Sequence, residues 1–229
     1  MMDLPPRIVL ASASPRRHEL LRGAGIAFEI RPADVDETIR YDLAAGEVAR
    51  DLALRKATFV RDHLRRELPD GEPVAIIGSD TLVVLGEDSD PRRRFLEKAA
   101  DAEEATAMLE ALSGSRHRVV TGVAVAMLNV PSGDLQLADH ETTFVSMREL
   151  SANEIADYVA SGEWIGKAGS YAIQENADRF VTGLEGGGFD NVVGLPVERT
   201  LDLLRRALAG SRERHPLAKP GPDPMPPRE

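Results

Sequence analysis

Two serines and two arginines flank a proline near the start of the chain, and their spacing suits anion binding. Ser12 and Ser14 precede Pro15, and Arg16 and Arg17 follow it. Serine before proline is typical of a helix start, so the arginines fall in the first helical turn. The helix dipole is positive there, which favours a bound anion such as phosphate. The alternative is a solvated helix start, because the pattern lacks the glycine-rich cradle of better-known phosphate loops.

A carboxylate lies inside an apolar stretch in the segment Gly-Ser-Asp-Thr at residues 78–81. Burying a carboxylate there is unfavourable unless it is paired, hydrogen-bonded or bound to a metal. Asp80 is therefore a candidate general base or metal ligand, and the alternative is that Gly78 marks a bulge or turn that Asp80 caps. Asp36 and Glu37 add oxygen donors on a polar loop, which suit Mg²⁺ or Mn²⁺, although adjacent acids can equally be solvated.

Three lysines and a glutamine complete the candidate set. Lys56 and Lys98 could contact phosphate or be ordinary surface charges. Lys167 lies among small residues that let the backbone approach a ligand closely. Gln174 follows an apolar run, and its amide offers the donor and acceptor needed to recognise a base edge, unless it only borders a tight turn. The five histidines show no metal-ligand spacing.

The overall composition limits the partners. The chain has 229 residues and a formal net charge of -10, which argues against sequence-independent nucleic-acid binding but allows a local cationic pocket. It has no cysteine, and therefore no disulfide or thiolate metal site. No apolar run approaches the roughly 20 residues of a membrane helix, and no signal peptide is recognisable. We expect a soluble cytoplasmic protein without membrane contacts.

The pattern of elements that would position these residues indicates an α/β fold with a sheet of mixed direction. Strands are predicted at residues 8–11, 27–30, 74–77, 81–85, 118–128 and 142–148, and helices at 47–68, 100–112, 151–161 and 196–209, besides the one opened by Pro15. A glycine-rich loop is predicted at 183–188. Residues 1–210 form the predicted domain, and the proline-rich residues 211–229 form a predicted disordered tail.

Seven motifs, in this order, resemble the Maf proteins over about residues 7–209. They are SASPRRHELL at 12–21, Asp-Glu at 36–37, RKA at 55–57, GSDT at 78–81, LEK at 96–98, GKAGSYAIQ at 166–174 and NVVGLP at 191–196. The resemblance implies an elongated mixed sheet flanked by helices, with two lobes around a cleft, as in the related inosine-triphosphatase-like house-cleaning enzymes. It also implies a nucleoside triphosphate pyrophosphatase, which releases the monophosphate and pyrophosphate, and a homodimer.

The resemblance further implies roles for individual residues. Asp80 would accept the proton of the attacking water, and a divalent cation (Mg²⁺, Mn²⁺ or Co²⁺) would bind Glu37 and Asp80. Phosphate or metal contacts are implied for Ser12, Arg16, Arg17, Glu37, Lys56, Lys98 and Gln174. Ser14 and Lys167 are substrate-binding candidates from their own sequence context. The chain departs from the family at Ala99, where proline is usual, and in a longer segment at residues 88–94, which puts the position of Lys98 in question.

Three positions distinguish two branches of the family. Arg16, Thr81 and Gln174 resemble the branch that favours dTTP and UTP, whereas the 7-methyl-GTP branch tends to carry Trp, Gln and Glu there. We therefore expect a dTTP and UTP pyrophosphatase, with modified pyrimidine triphosphates as further substrates. The alternatives are a 7-methyl-GTP pyrophosphatase and a non-catalytic nucleotide sensor, since Maf-type proteins have been associated with septum formation and division arrest.

Overall fold

Strands and helices alternate along the chain, of which the structure, a computed structural model, describes residues 7–68, 71–131, 133–174 and 176–212. The strands are β1 (Arg7–Leu10), β2 (Glu29–Ile30), β3 (Val74–Leu85), β4 (Arg94–Leu96), β5 (Arg116–Leu128), β6 (Gln136–Met147) and β7 (Val181–Glu185). The helices are α1 (Pro15–Gly23), α2 (Ala45–Glu67), α3 (Ala102–Leu112), α4 (Ala152–Ser161), α5 (Phe189–Val193) and α6 (Val197–Arg212), with a 3-10 turn at Asn176–Phe180. Within the described residues, no helix is long and apolar enough to cross a membrane.

The described strands form one seven-stranded sheet in the order β2-β1-β3-β5-β6-β7, with β4 also paired to β3. β1 runs parallel to β2 and β3, and the other pairs are antiparallel. Apolar side chains of α2 cover one face of this sheet. The opposite face carries two hydrophobic clusters, one with α1 and α6 and one with α3 and α4. The predicted α/β fold with mixed strand direction is confirmed.

The sheet forks along one edge of β3. Residues 74–77 pair with β1, and residues 83–85 pair with β4. Between them, residues 78–82 have no strand partner on that edge among the described residues, although β5 pairs along the other edge. The two runs predicted as separate strands are therefore one strand, and Asp80 lies in the middle of the gap.

Gly78 does not form a turn, which corrects the alternative interpretation of this segment. A Cβ atom on Gly78 would lie 2.1 Å from the Ala53 carbonyl oxygen of α2. At Gly122, the residue of β5 opposite Asp80, a Cβ would lie 2.0 Å from the Ala49 carbonyl oxygen. These two glycines let α2 lie directly on the sheet, closer than any side chain would allow.

The prediction of a glycine-rich loop at 183–188 is wrong for residues 183–185. Residues 181–185 form the edge strand β7, and Leu184 opposite Val145 packs on the cluster with α3 and α4. Cross-strand packing outweighs the weak strand propensity of the glycine here. The predicted helix start at Ser151 is confirmed, because Ser151 Oγ accepts a hydrogen bond from the Glu154 amide at 3.3 Å. α6 continues past residue 210 to Arg212, and the rest of the predicted tail lies outside the described residues.

Candidate active site

A cavity of about 350 Å³ opens in the gap beside β3. Of the residues selected from the sequence, Asp36 does not line this cavity, and its carboxylate accepts hydrogen bonds from Thr38 instead. The others all line it: Ser12, Ser14, Arg16, Arg17, Glu37, Lys56, Asp80, Thr81, Lys98, Lys167 and Gln174. Five cationic side chains face two carboxylates there, in a chain whose formal net charge is -10. The negative net charge thus coexists with a local cluster of cations.

Lys56 is the buried centre of the charged cluster. α2 brings it to the sheet next to Gly78, and its side chain is 8% exposed. Lys56 Nζ donates to Asp80 Oδ1 at 2.5 Å and lies 2.6 Å from Glu37 Oε1. The other carboxylate oxygen, Asp80 Oδ2, has no hydrogen-bond donor among the described residues, which leaves it open to a water molecule. One lysine thus orients both acids.

Glu37 also binds the second lysine of the cluster, because Lys98 Nζ lies 3.2 Å from Glu37 Oε2. Burial acts to raise the pKa of Glu37, but the hydrogen bonds and charges of Lys56 and Lys98 outweigh it and hold that pKa below its usual value. Lys98 bridges to Ala168, so the long segment at 88–94 does not carry it away from the cavity.

The start of α1 has the features of an anion site that were predicted from its sequence. The helix begins at Pro15, and the Ser14 hydroxyl makes no capping hydrogen bond. The Ser14 amide donates to Ser12 Oγ at 3.2 Å. Arg16 is half-exposed and makes no hydrogen bond or ion pair with any part of the chain that the structure describes. Its guanidinium is therefore available to a phosphate group.

Three of the five N–H groups of the Arg17 guanidinium donate hydrogen bonds to other parts of the protein. It donates from Nε to the Gly194 carbonyl oxygen at 2.8 Å, from Nη2 to Thr81 Oγ1 at 3.0 Å and from Nη1 to Ser12 Oγ at 3.3 Å. Burial lowers its pKa, with the Asp80 charge acting in the opposite direction. Two of its five N–H groups remain for a ligand. Arg17 thus connects α1, β3 and the residues before α6.

The motif at residues 191–196 was identified in the sequence only through its resemblance to the family, without a role for its residues. Its hydrogen bonds show how it is held beside the cavity. The Gly194 carbonyl oxygen accepts from Ser79 Oγ at 3.0 Å as well as from Arg17. Asn191 is fully buried and donates to the Thr143 hydroxyl at 2.8 Å and to the Val119 carbonyl at 3.1 Å. The sequence signal for these contacts is Asn191, the one polar side chain in the motif NVVGLP, because a buried polar group needs hydrogen-bond partners.

The rest of the lining is largely apolar, and it includes Val83, Val119, Tyr171, Ile173 and Val192. Gln174 follows Ile173 and is exposed, so its amide is accessible from the cavity mouth. The Thr81 hydroxyl contacts Thr121 Oγ1 at 3.0 Å besides accepting from Arg17. Since Thr81 is engaged by the protein, its expected influence on base preference would be exerted through Arg17. A charged surface next to an apolar one suits a nucleotide.

The donor chemistry of Glu37 and Asp80 fits a divalent cation. Both are hard oxygen donors, and both point at one cationic position, which the Lys56 ammonium takes. No group of three or more His, Asp and Glu side chains in the described part of the chain forms a ready-made metal site. A cation here would therefore complete its coordination with water and phosphate oxygens, as Mg²⁺ commonly does.

Comparisons with known proteins indicate the family of this chain. A dTTP/UTP pyrophosphatase of Pelotomaculum thermopropionicum is 46% identical over 199 residues, which cover 87% of this chain and 95% of the relative. One of Alkaliphilus oremlandii is 42% identical over the same shares. The match to a solved dITP/XTP pyrophosphatase structure from Mycobacterium abscessus covers 89% of this chain and 96% of that chain, at 17% identity and a TM-score of 0.41. The sequence pattern of the Maf-like proteins matches residues 7–207, and the chain belongs to this family.

Proposed function

We propose that this protein is a nucleoside triphosphate pyrophosphatase that hydrolyses dTTP and UTP to the monophosphate and pyrophosphate in the cytoplasm. The observation that carries the proposal is the gathering of five cations around Asp80 and Glu37 in one cavity. This arrangement suits a polyphosphate and an activated water. The names of relatives at 42% and 46% identity support the choice of dTTP and UTP.

The phosphates would bind cations of the cavity lining. Arg16 has no ion-pair partner among the described residues, and Lys98 is 59% exposed with one partner, Glu37. Lys167 lines the same cavity. The start of α1 adds backbone N–H groups and the Ser14 hydroxyl. Together they would neutralise the triphosphate and hold its α-phosphorus near Asp80, and such positioning accounts for most of the rate enhancement in phosphoryl transfer.

Asp80 would accept a proton from the attacking water through Oδ2. The water oxygen forms a bond to the α-phosphorus, and the bond from that phosphorus to the oxygen bridging to the β-phosphate breaks. Pyrophosphate leaves with that oxygen. In the free protein Lys56, bound to Asp80 Oδ1 at 2.5 Å, holds the carboxylate in place.

We further propose that Glu37 and Asp80 hold a divalent cation, which when bound would neutralise phosphate charge and lower the pKa of a bound water. Lys56 and Lys98 balance the two carboxylates in the free protein. The negative charge of the triphosphate would draw the lysines away from the carboxylates. Glu37 and Asp80 would then be free to hold the cation.

The pyrimidine preference would come from the Gln174 amide, which can both donate to and accept from the carbonyl and imide groups of uracil or thymine. A glutamate at this position would instead accept from the donor groups of a guanine-type base. Arg16 and Thr81 are the other two positions that favour the pyrimidine branch.

The proposal is tested by incubating the purified chain with dTTP, UTP, CTP or 7-methyl-GTP and Mn²⁺ and measuring pyrophosphate and monophosphate. We expect the highest kcat/KM for dTTP and UTP, with pyrophosphate as the product. Asp80→Asn, purified identically, controls for contaminating phosphatases. A chain that binds dTTP without releasing pyrophosphate would be a nucleotide sensor, and a preference for 7-methyl-GTP would reassign the base-reading residues.

A further inference from the structure

A buried hydrogen-bonded chain leads away from the cavity through Tyr171. The Tyr171 hydroxyl lies 2.8 Å from His117 Nε2, and the two rings meet edge to face at 5.6 Å between centroids. His117 Nδ1 lies 3.3 Å from Ser115 Oγ, which donates to the Leu112 carbonyl at 2.7 Å. His117 is 1% exposed, and Tyr171 is 5% exposed. The chain thus runs from the cavity wall to the end of α3.

The direction of each hydrogen bond in this chain follows from the proton count. The single Ser115 hydroxyl proton goes to the Leu112 carbonyl, so Ser115 Oγ accepts from His117 Nδ1–H. Burial lowers the pKa of His117 to about 4, which keeps the ring neutral near pH 7. His117 Nε2 is therefore an acceptor, and the Tyr171 hydroxyl donates to it. Burial also raises the pKa of Tyr171, so the hydroxyl keeps its proton.

Tyr171 anchors a segment that lacks regular secondary structure. This segment, residues 166–174, carries both Lys167 and Gln174. Its backbone is in the left-handed region at Gly169 (φ 67°) and at Ser170 (φ 60°), which is unfavourable for serine. Two backbone contacts hold the segment in place. Ala168 forms a β-bridge with Lys98, and the Gly169 amide donates to the Leu96 carbonyl oxygen at 3.0 Å. Tyr171 adds a buried side-chain anchor three residues before Gln174.

We propose that His117 is a positioning residue for nucleotide binding, which acts through the Tyr171 hydroxyl to hold the 166–174 segment against the cavity. This inference rests on the proposed function of the same cavity. His117 touches neither Asp80 nor Lys56, and its effect reaches the ligand through Lys167 and Gln174. It therefore acts on nucleotide affinity and base preference and leaves the chemical step largely unchanged.

The direct test is Tyr171→Phe, which removes one oxygen and leaves His117 Nε2 buried without its donor. We expect KM for dTTP to rise about tenfold while kcat changes by less than about threefold, since an unsatisfied buried acceptor weakens the anchored state by roughly one decade. Tyr158→Phe is the matched control, because Tyr158 is a 1% exposed tyrosine of the same hydrophobic cluster that does not line the cavity. Its KM should stay at the wild-type value.

A second pair of variants, at His117, distinguishes the effect of losing the hydrogen-bond acceptor for Tyr171 from the effect of changing the packing. In His117→Gln the amide oxygen can accept from Tyr171, whereas in His117→Leu no acceptor remains. We expect His117→Gln to recover most of the wild-type KM and His117→Leu to match Tyr171→Phe. Binding of the non-hydrolysable α,β-imido analogue of dTTP gives the same ranking as Kd, without turnover.

The outcomes distinguish this inference from the proposed function. Tyr171→Phe could lower Tm and leave KM, the analogue Kd and the ratio of dTTP to CTP turnover unchanged. The hydrogen bond between Tyr171 and His117 would then be only structural, and the inference would be wrong. Hydrolysis of dTTP by the wild-type protein would still support the proposed function. If wild-type protein does not hydrolyse dTTP, the proposed function fails, and the analogue Kd values still decide the inference. An equal rise of KM in Tyr158→Phe would also overturn it.

Discussion

Lys56 and Asp80 form a buried ion pair across the gap in the sheet, with Lys56 Nζ 2.5 Å from Asp80 Oδ1. The pair forms because Gly78, two residues before Asp80 on the same face of β3, lets α2 lie directly on the strand. An ion pair with so little exposure adds little net stability, because its attraction is offset by the loss of hydration. Its position in the cavity indicates that it serves to hold the Asp80 carboxylate.

Asp80→Asn should lower kcat for dTTP by about a thousandfold, because the amide cannot accept the proton of the attacking water. Tm should change little, since the amide oxygen still accepts from Lys56 and Glu37 still balances that ammonium. Steady-state kinetics and thermal unfolding measure the two effects. A variant with wild-type kcat would remove Asp80 from the mechanism.

Gly78→Ala should destabilise the protein by about 2–3 kcal/mol, because the new Cβ would lie 2.1 Å from the Ala53 carbonyl oxygen and push α2 off the sheet. Moving α2 also displaces Lys56, so activity should fall with stability. Gly23→Ala is the matched control, since a Cβ there meets nothing within 4 Å. Urea unfolding compares the two, and equal stability of both variants would contradict the close approach of α2.

Lys56→Met should tighten the binding of Mn²⁺ in the absence of nucleotide, because the ammonium that lies between Glu37 and Asp80 is removed and their negative charge is no longer balanced. We expect a gain of about tenfold or more, given the strength of a single close charge pair. Titration followed by electron paramagnetic resonance of free Mn²⁺ measures it, independently of turnover. An unchanged Kd would show that the two carboxylates do not form the cation site.

Acid should destabilise the protein through His117. Its pKa is about 4 in the folded protein and 6.5 ordinarily, so between these values the unfolded chain binds more protons and the free energy of unfolding falls as pH falls. The loss reaches up to about 3 kcal/mol at pH 4 and is absent above pH 6.5. Urea unfolding at pH 7 and pH 4.5 should show a smaller drop for His117→Gln than for wild type. Equal drops would mean that His117 is not buried in its neutral form.

Much of the site could be predicted from the sequence, because the candidate residues have side chains whose chemistry is independent of context. Proline is favoured in the first turn of a helix, as Pro15 is in α1, and the capping box at Ser151 involves only its own first turn. The concentration of phosphate-binding and carboxylate side chains in a few short motifs likewise indicated the ligand class. These features depend on neighbours within a few residues.

Only the tertiary structure showed what those residues contact. The sequence around Gly78 is compatible with a turn, whereas in the structure a Cβ there would lie 2.1 Å from a carbonyl oxygen of α2. The sequence names no partner for Arg17, whose Nε–H is accepted by the carbonyl of Gly194, 177 residues away. His117 had no recognisable spacing because its partner Tyr171 is 54 residues distant. Backbone preference acts over a few bonds and can be read locally, whereas ion pairs, close packing and buried hydrogen bonds depend on which distant segments the folded chain brings together.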